Sequence, residues 1–209
     1  SKLEDYLQTE WPELDVYLTS VTDHFATVSV CGPNSKKIVS KVIPELDFSD
    51  ESFPHMSFKD AKIGKINCRV MRISFTGEHS YEINIQASYG KSVWEKCMEA
   101  GKNYNITPYG TETMHLLRAE KGFIIVGQDT VATMTPIDLQ MDWIVSKKKY
   151  DFIGKRSLYR SDTIKEDRKQ LVGLLTEDPN EVLEEGAQIV ADVNKSPIEM
   201  LGHVTSSYY

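Results

Sequence analysis

Alternating apolar and polar positions predict four strands in the first half of the chain. Residues 16 to 21 and 25 to 31 alternate on either side of the polar stretch 22 to 24, which predicts an antiparallel hairpin. Residues 66 to 75 and 81 to 86 show the same alternation and predict two more strands joined by a turn. Because successive strand residues point to opposite faces, each strand should bury one face.

Apolar residues at helical spacing predict helices between and after these strands. One helix is expected after Asn34, a favourable N-cap residue, and it should end before Pro44. A second carries apolar residues at helical spacing up to Gly101, and a third covers residues 111 to 120. A short helical stretch opens the chain at residues 3 to 8. This order predicts an α+β fold, an antiparallel sheet with helices on one face.

The pattern changes toward the end of the chain. Residues 123 to 127 are uniformly apolar and predict a short buried strand. Three short apolar runs separated by acidic, Pro or Gly turns predict the start of a small β-barrel, with a sandwich as the alternative: residues 171 to 175, 188 to 190 and 200 to 204. The charged stretch 161 to 169 is the expected boundary, which gives domains at 1–165 and 166–209.

Composition and charge exclude several classes of function. The 209 residues carry a formal net charge of -7, which argues against binding a phosphate backbone. The basic run Lys147, Lys148 and Lys149 is expected to be a solvated loop, with an anion contact as the alternative. No apolar run approaches the roughly 18 to 20 residues of a membrane span.

Cysteine and histidine spacing points to no metal site or disulfide framework. Cys31, Cys68 and Cys97 are odd in number and far apart, which favours a reducing, cytoplasmic location. The five histidines lack the spacing of metal ligands. Both ends resemble cut ends, because the chain opens inside a helical phrase and closes on a strand with no partner, so a longer protein is expected.

The segment at residues 74 to 83 offers the candidate chemistry. In its simplest interpretation it is a hairpin in which Gly77 forms the turn and Glu78 and His79 are solvated. The alternation nevertheless places Glu82 within a strand between apolar neighbours, where an acid must meet solvent or find hydrogen-bond donors. A carboxylate there suits a planar ligand that offers paired N–H groups, because two parallel hydrogen bonds also orient the ring.

Residues 75 to 83 resemble the hairpin of the aminomethyltransferase (glycine cleavage T-protein) family. In that family a glutamate of this strand holds the pterin ring of folate, and its matching position here is Glu82. The resemblance implies Glu78, in the turn, as a weaker candidate and Tyr81 as a packing or stacking wall for the ligand. The family's usual Glu-Asp-Gly turn is Glu78-His79-Ser80 in this chain.

Further blocks extend the resemblance over most of residues 16 to 209. The stretch 118 to 128 is more similar to the alpha subunits of sarcosine oxidases than to the T-protein, in which an arginine stands where this chain has Met114. The resemblance implies tetrahydrofolate as the cofactor of this region, with FAD, FMN and NAD in the rest of the parent enzyme. It also implies other subunits of that enzyme as partners.

In such a parent enzyme, sarcosine is oxidised at a flavin and the one-carbon unit reaches folate as 5,10-methylenetetrahydrofolate. The catalytic aspartate of the family lies upstream of the first hairpin, and residues 1 to 21 contain no equivalent. No residue of this chain is therefore assigned a catalytic role, and the fragment alone is expected to be inactive.

Two alternatives remain open from the sequence. The chain is also compatible with a free-standing aminomethyltransferase, or with a demethylase relative acting on dimethylglycine or dimethylsulfoniopropionate. A second alternative comes from a different class, a structural scaffold that keeps the fold for subunit contacts and does not bind folate.

Overall fold

A computed structural model describes all 209 residues. The chain forms two compact units, one of residues 1–74 and 78–108 and the other of residues 75–77 and 109–209. The charged stretch 161 to 169, expected as a domain boundary, lies inside the second unit. None of the helices combines the length and the apolar character needed to cross a membrane.

The first unit contains a four-stranded antiparallel sheet and three helices. The strands lie in the order β1-β4-β3-β2, so β4 and β3 are central. Their bounds are β1 Phe25–Cys31, β2 Phe58–Ile63, β3 Ile66–Met71 and β4 Ser80–Gln86. The helices are α1 Lys2–Thr9, α2 Ser35–Val42 and α3 Gly90–Gly101.

One face of this sheet packs on α2 and α3, as the sequence predicts. Every second residue of β4 is fully buried, namely Tyr81, Ile83 and Ile85. These side chains share one core with apolar residues of the neighbouring strands and with the inner faces of α2 and α3: Val28, Val30, Val70, Ile38, Val39, Val93 and Cys97. Burying each large aliphatic side chain stabilises the folded state by about 2 kcal/mol, which makes this face the main source of stability for the sheet.

The prediction of the first hairpin is wrong, although its second strand forms as β1. Residues 16 to 21 form no strand, and Tyr17 in this stretch is 88% exposed. Strand β1 pairs instead with β4, far along the chain. Alternation identifies a segment that can form a strand, but the partner is decided by which apolar faces can be buried together.

Strand β2 was missed because its sequence alternates poorly. It carries lysine and aspartate among its few apolar residues, so neither face looks buried from the sequence. It forms a hairpin with β3 around Gly64, whose φ of 64° lies in the left-handed region that glycine adopts without strain. The hairpin with the buried strand β3 stabilises β2 at the sheet edge.

The second unit has one long helix and little sheet. Helix α4 Thr111–Glu120 forms as predicted, and β5 Gln188–Val190 pairs with β6 Met200–His203 in a two-stranded antiparallel ladder. The predicted strands at 123 to 127 and 171 to 175 are wrong, because both stretches are irregular and Leu175 is fully exposed. Of the predicted start of a small barrel, the structure shows the two-stranded ladder of β5 and β6.

Two buried carboxylates organise the second unit. Asp129 accepts hydrogen bonds from the guanidinium of Arg118 at 2.5 Å, from the backbone N–H of Ile125 at 2.8 Å and from the hydroxyls of Thr205 and Ser206 at 2.7 Å. Although burial acts to raise its pKa, these donors lower the pKa of Asp129. The contact ties α4 to residues at the end of the chain.

Asp138 forms the second anchor, with Arg168. The guanidinium donates from Nε to Oδ1 at 2.7 Å and from Nη2 to Oδ2 at 2.5 Å, and Thr135 donates its backbone N–H and its hydroxyl to Oδ2. The hydrogen bonds from Arg168, with those of Thr135, lower the pKa of Asp138 from 3.8 to about 2. A paired, nearly inaccessible carboxylate of this kind stabilises the folded state only while it is ionised.

Replacing Asp138 with Asn should destabilise the second unit at neutral pH. The folded pKa lies below the unfolded value, so the stabilisation is present above pH 3.8 and is lost as the pH falls toward 2. A shift of this size corresponds to about 2 kcal/mol at neutral pH. Urea unfolding from pH 7 to pH 2 should therefore show the two proteins converging at low pH, whereas exposed Asp167→Asn should follow the wild type. A constant difference across this range would contradict the assignment.

Candidate functional site

Glu82 lies on a central strand, on the sheet face opposite to the one that packs on α2 and α3. Strand β4 is a central strand, and its alternation directs Tyr81 and Ile83 into the core and Glu82 to the opposite face. The register places Ser29 of β1 and Met71 of β3 directly opposite Glu82, one on each side. Glu82 therefore lies on a strand, as predicted, and the structure identifies its neighbours on this face.

The carboxylate of Glu82 has an unusual environment. Its side chain is only partly accessible, yet it forms no hydrogen bond or ion pair with another residue of the chain. Burial without compensating donors raises the pKa of Glu82. This carboxylate is thus prepared to accept hydrogen bonds that the protein itself does not provide.

Asn84 follows Glu82 on the same face of β4. The hydroxyl of Thr27 donates to Oδ1 of Asn84 at 2.8 Å, which fixes the orientation of the amide. The amide Nδ2 is buried and has no hydrogen-bond partner. A buried donor without an acceptor costs about 1 to 3 kcal/mol, so this atom is a second group on the face whose bonding capacity is unused.

Two apolar side chains lie in the same cross-strand row as Glu82. Met71 of β3 is directly opposite Glu82, and Phe58 of β2 is opposite Met71. Phe58 is 57% exposed, and the guanidinium of Arg69 lies 4.6 Å from the centre of its ring. The register therefore places these two apolar side chains, here called the apolar platform, in the row beside the carboxylate, and sequence analysis missed them because only the register reveals them.

Tyr81 does not belong to this face. Its ring is fully buried among Phe48 and Phe53 on the face that packs on the helices, with ring centres 5.2 and 5.8 Å away. Its hydroxyl lies 3.2 Å from Nε2 of His79. Adjacent strand residues point to opposite faces, so a ligand held by Glu82 cannot contact the Tyr81 ring, and the predicted stacking wall is corrected to a core residue.

The turn before β4 agrees with the simple hairpin interpretation at Gly77 but not at His79. Gly77 has a φ of 76°, the left-handed conformation expected of a turn glycine, and Glu78 is partly exposed. His79 is not a solvated tip residue, since its ring packs 5.3 Å from that of Tyr81 and burial lowers its pKa. Glu78 precedes the strand and lies outside the row that contains Glu82.

The remaining candidate positions form no site. Lys147, Lys148 and Lys149 are all exposed, in agreement with a solvated loop. No group of three or more His, Cys, Asp or Glu residues is placed to hold a metal ion. No disulfide joins the three cysteines, and burial raises the pKa of Cys68 and Cys97 to about 11, which keeps both thiols protonated and unreactive.

The arrangement suits a flat ligand with a polar edge. The carboxylate of Glu82 can accept two parallel hydrogen bonds from adjacent N–H groups of a ligand. The amide of Asn84 can donate a hydrogen bond to an acceptor on the same ligand, and the apolar platform can contact the face of its ring. The side chains around Glu82 include no nucleophile with an activating base. Its geometry therefore fits binding and orientation of a ligand.

The chain is similar to a known domain family and to the alpha subunits of sarcosine oxidases. The sequence profile of the GCVT N-terminal domain matches residues 1–149. Sarcosine oxidase subunit alpha of Corynebacterium sp. strain P-1 is 55% identical over 99% of this chain and 22% of its own length. The same subunit of Rhizobium meliloti strain 1021 is 40% identical over 99% of the chain and 21% of its own length.

Relatives of lower identity include aminomethyltransferases. Aminomethyltransferase of Thermoanaerobacter pseudethanolicus strain ATCC 33223 / 39E is 31% identical over 93% of this chain and 50% of its own length. The chain thus spans about a fifth of the length of the sarcosine oxidase relatives and half that of the aminomethyltransferase.

Replacing Glu82 with Gln should stabilise the ligand-free first unit at neutral pH. The folded pKa of Glu82 is raised, so the folded state is penalised when the carboxylate is ionised, above that pKa, and the penalty disappears as the pH falls below the ordinary glutamate range. Thermal unfolding at pH 7 and pH 3 should show a gain at pH 7 that vanishes at pH 3. The exposed Glu51→Gln variant should show neither effect, and a loss of stability in Glu82→Gln at pH 7 would contradict this account.

Proposed function

Because the chain belongs to the GCVT N-terminal domain family, we propose that it is the folate-binding part of a one-carbon transfer module. In this proposal Glu82 holds the pterin ring of tetrahydrofolate. The chain contributes binding and orientation, and no residue within it is assigned a catalytic role.

The observation that carries the proposal is the unpaired carboxylate of Glu82. Keeping a partly buried acid without donors costs stability, and natural proteins accept such costs mainly at functional sites. The pyrimidine part of a pterin presents a ring N–H beside an exocyclic amino group, which together match the two oxygens of a carboxylate. A ligand with this edge would satisfy the acid and recover the energy of charge-assisted hydrogen bonds.

The platform beside Glu82 supports the same ligand. Met71 is directly opposite the acid in the register and is partly accessible, so its flexible thioether can contact the face of a flat ring. Phe58 extends this apolar surface toward the sheet edge. In this proposal Met71, rather than Tyr81, takes the role of the packing wall.

Tetrahydrofolate, when bound, supplies the nitrogen atoms that accept the one-carbon unit. The protein residues act by holding the ring in one orientation, which converts an encounter in solution into a reaction between positioned groups. Glu82 fixes the ring in its plane, and the platform limits access of water from one side.

For the whole protein we propose a sarcosine oxidase alpha subunit. The names and identities of the relatives from Corynebacterium and Rhizobium support this assignment. The parent enzyme would demethylate sarcosine to glycine in the cytoplasm and form 5,10-methylenetetrahydrofolate, using FAD, FMN and NAD bound elsewhere and further subunits as partners. The β5–β6 ladder would then begin a small barrel domain.

Replacing Glu82 with Gln in the full-length protein should weaken binding of a reduced folate by about 10- to 100-fold. The amide keeps the shape of the side chain but removes the charge and one acceptor, and a hydrogen bond to a charged group contributes about 1.5 to 3 kcal/mol. Isothermal titration with 5-formyltetrahydrofolate, a stable reduced folate, measures the loss directly.

Two matched variants define the specificity of this test. Glu78→Gln, in the turn, and Tyr81→Phe, in the core, should leave the affinity within about twofold, because Glu78 precedes strand β4 and Tyr81 is buried on the opposite face. A wild-type protein that binds no reduced folate would instead identify the domain as a structural scaffold. An unchanged affinity in Glu82→Gln would remove the anchor role from this residue.

A further inference from the structure

We propose that Asn84 is a specificity-determining residue of the pterin site and recognises the ring oxygen next to the N–H pair held by Glu82. The two side chains together would select 4-oxopteridines over 4-aminopteridines. This inference rests on the proposed function and extends it to the chemical class of pteridine that the site accepts.

The state of the Asn84 amide is the primary observation. Thr27 donates its hydroxyl proton to Oδ1 at 2.8 Å, so the oxygen of the amide has a partner and the orientation of the amide is fixed. Nδ2 is buried without a partner, and of the buried side-chain atoms in this condition it is the one that belongs to a strand of the sheet. Its two N–H groups are donors for which the protein provides no acceptor.

The other polar groups on this face are already paired. Arg69 lies opposite Asn84 in the register but donates to both oxygens of Asp60, at 2.8 and 3.0 Å. The hydroxyls of Ser29 and Ser80 lie 3.4 Å apart and interact with each other. Asn84 is therefore the neighbour of Glu82 whose buried donor atom has no hydrogen-bond partner.

The order of groups along the strand matches one edge of a 4-oxopteridine. Residues two apart in a strand share a face at about 6.8 Å between Cα atoms. Glu82 offers two acceptors, and Asn84 offers a donor beside them. The edge of a 4-oxopteridine presents a carbonyl oxygen, then a ring N–H, then an amino group, so each acceptor meets a donor and each donor an acceptor.

A 4-amino group in place of the oxygen breaks this match. It presents N–H donors to the N–H groups of Asn84, and the adjacent ring nitrogen loses its proton and faces the carboxylate of Glu82. An unpaired donor in a partly buried site is costly, which makes a polar mismatch a stronger discriminator than a change in size.

The test compares two ligands that differ at this position alone. Folic acid carries the 4-oxo group and aminopterin carries the 4-amino group in an otherwise identical molecule. In the full-length protein, Asn84→Ala should weaken binding of folic acid and of 5-formyltetrahydrofolate by about 3- to 10-fold, the range of a neutral hydrogen bond. Binding of aminopterin should stay the same or become tighter because the donor–donor mismatch is removed, so the preference for the 4-oxo ligand should fall.

Two controls separate a specific effect from a general one. Gln86 is the next residue of β4 on the same face and is exposed, so Gln86→Ala should leave both affinities unchanged. Thr27→Val removes the hydroxyl that orients the amide and should reduce the preference for the 4-oxo ligand in the same direction as Asn84→Ala. A general loss of folding would weaken both ligands equally in any variant, whereas the proposal requires a change in their ratio.

The outcomes distinguish this inference from the proposed function. If Glu82→Gln weakens folate binding but Asn84→Ala alters both ligands equally or neither, the role of Asn84 is overturned and the pterin site remains. If the wild-type protein binds neither 5-formyltetrahydrofolate nor folic acid, both proposals fail together.

Discussion

The antiparallel pairing of β1 with β4 is the constraint on which the site depends. Its register is fixed because Tyr81, Ile83 and Ile85 must share the core with the inner faces of two helices. A shift by one residue would bury Glu82 and expose three large apolar side chains, at a cost of several kcal/mol. The same packing that stabilises the sheet therefore also directs the acid to the opposite face.

The acidic side chains Asp129, Asp138 and Glu82 have two different hydrogen-bonding environments. Asp129 and Asp138 in the second unit are surrounded by arginine, hydroxyl and backbone donors, and their pKa values are lowered. Glu82 in the first unit has no such donors, and burial raises its pKa. Saturated carboxylates stabilise a fold, whereas an unsaturated one keeps its hydrogen-bonding capacity for a ligand.

The family resemblance and the geometry support each other at Glu82 and differ at Tyr81. A motif identifies positions in sequence order, so adjacent residues such as Tyr81 and Glu82 appear as one candidate site. In a strand these neighbours lie on opposite faces, and the residues that surround Glu82 come from other strands. Met71, Phe58 and Asn84 share the face of Glu82, and the motif by itself does not identify them.

The sequence by itself determined helices α2, α3 and α4, strands β1 and β4, the helix-covered face of the sheet and the position of the candidate acid. These features depend on local periodicity, which is set by side-chain directions within one segment. The pairing of β1, the presence of β2 and the loss of the strand at 123 to 127 were decided only by the tertiary structure. Pairing, register and burial depend on contacts between residues distant in sequence, so no local pattern could fix which side chains surround Glu82 or leave Asn84 without a partner.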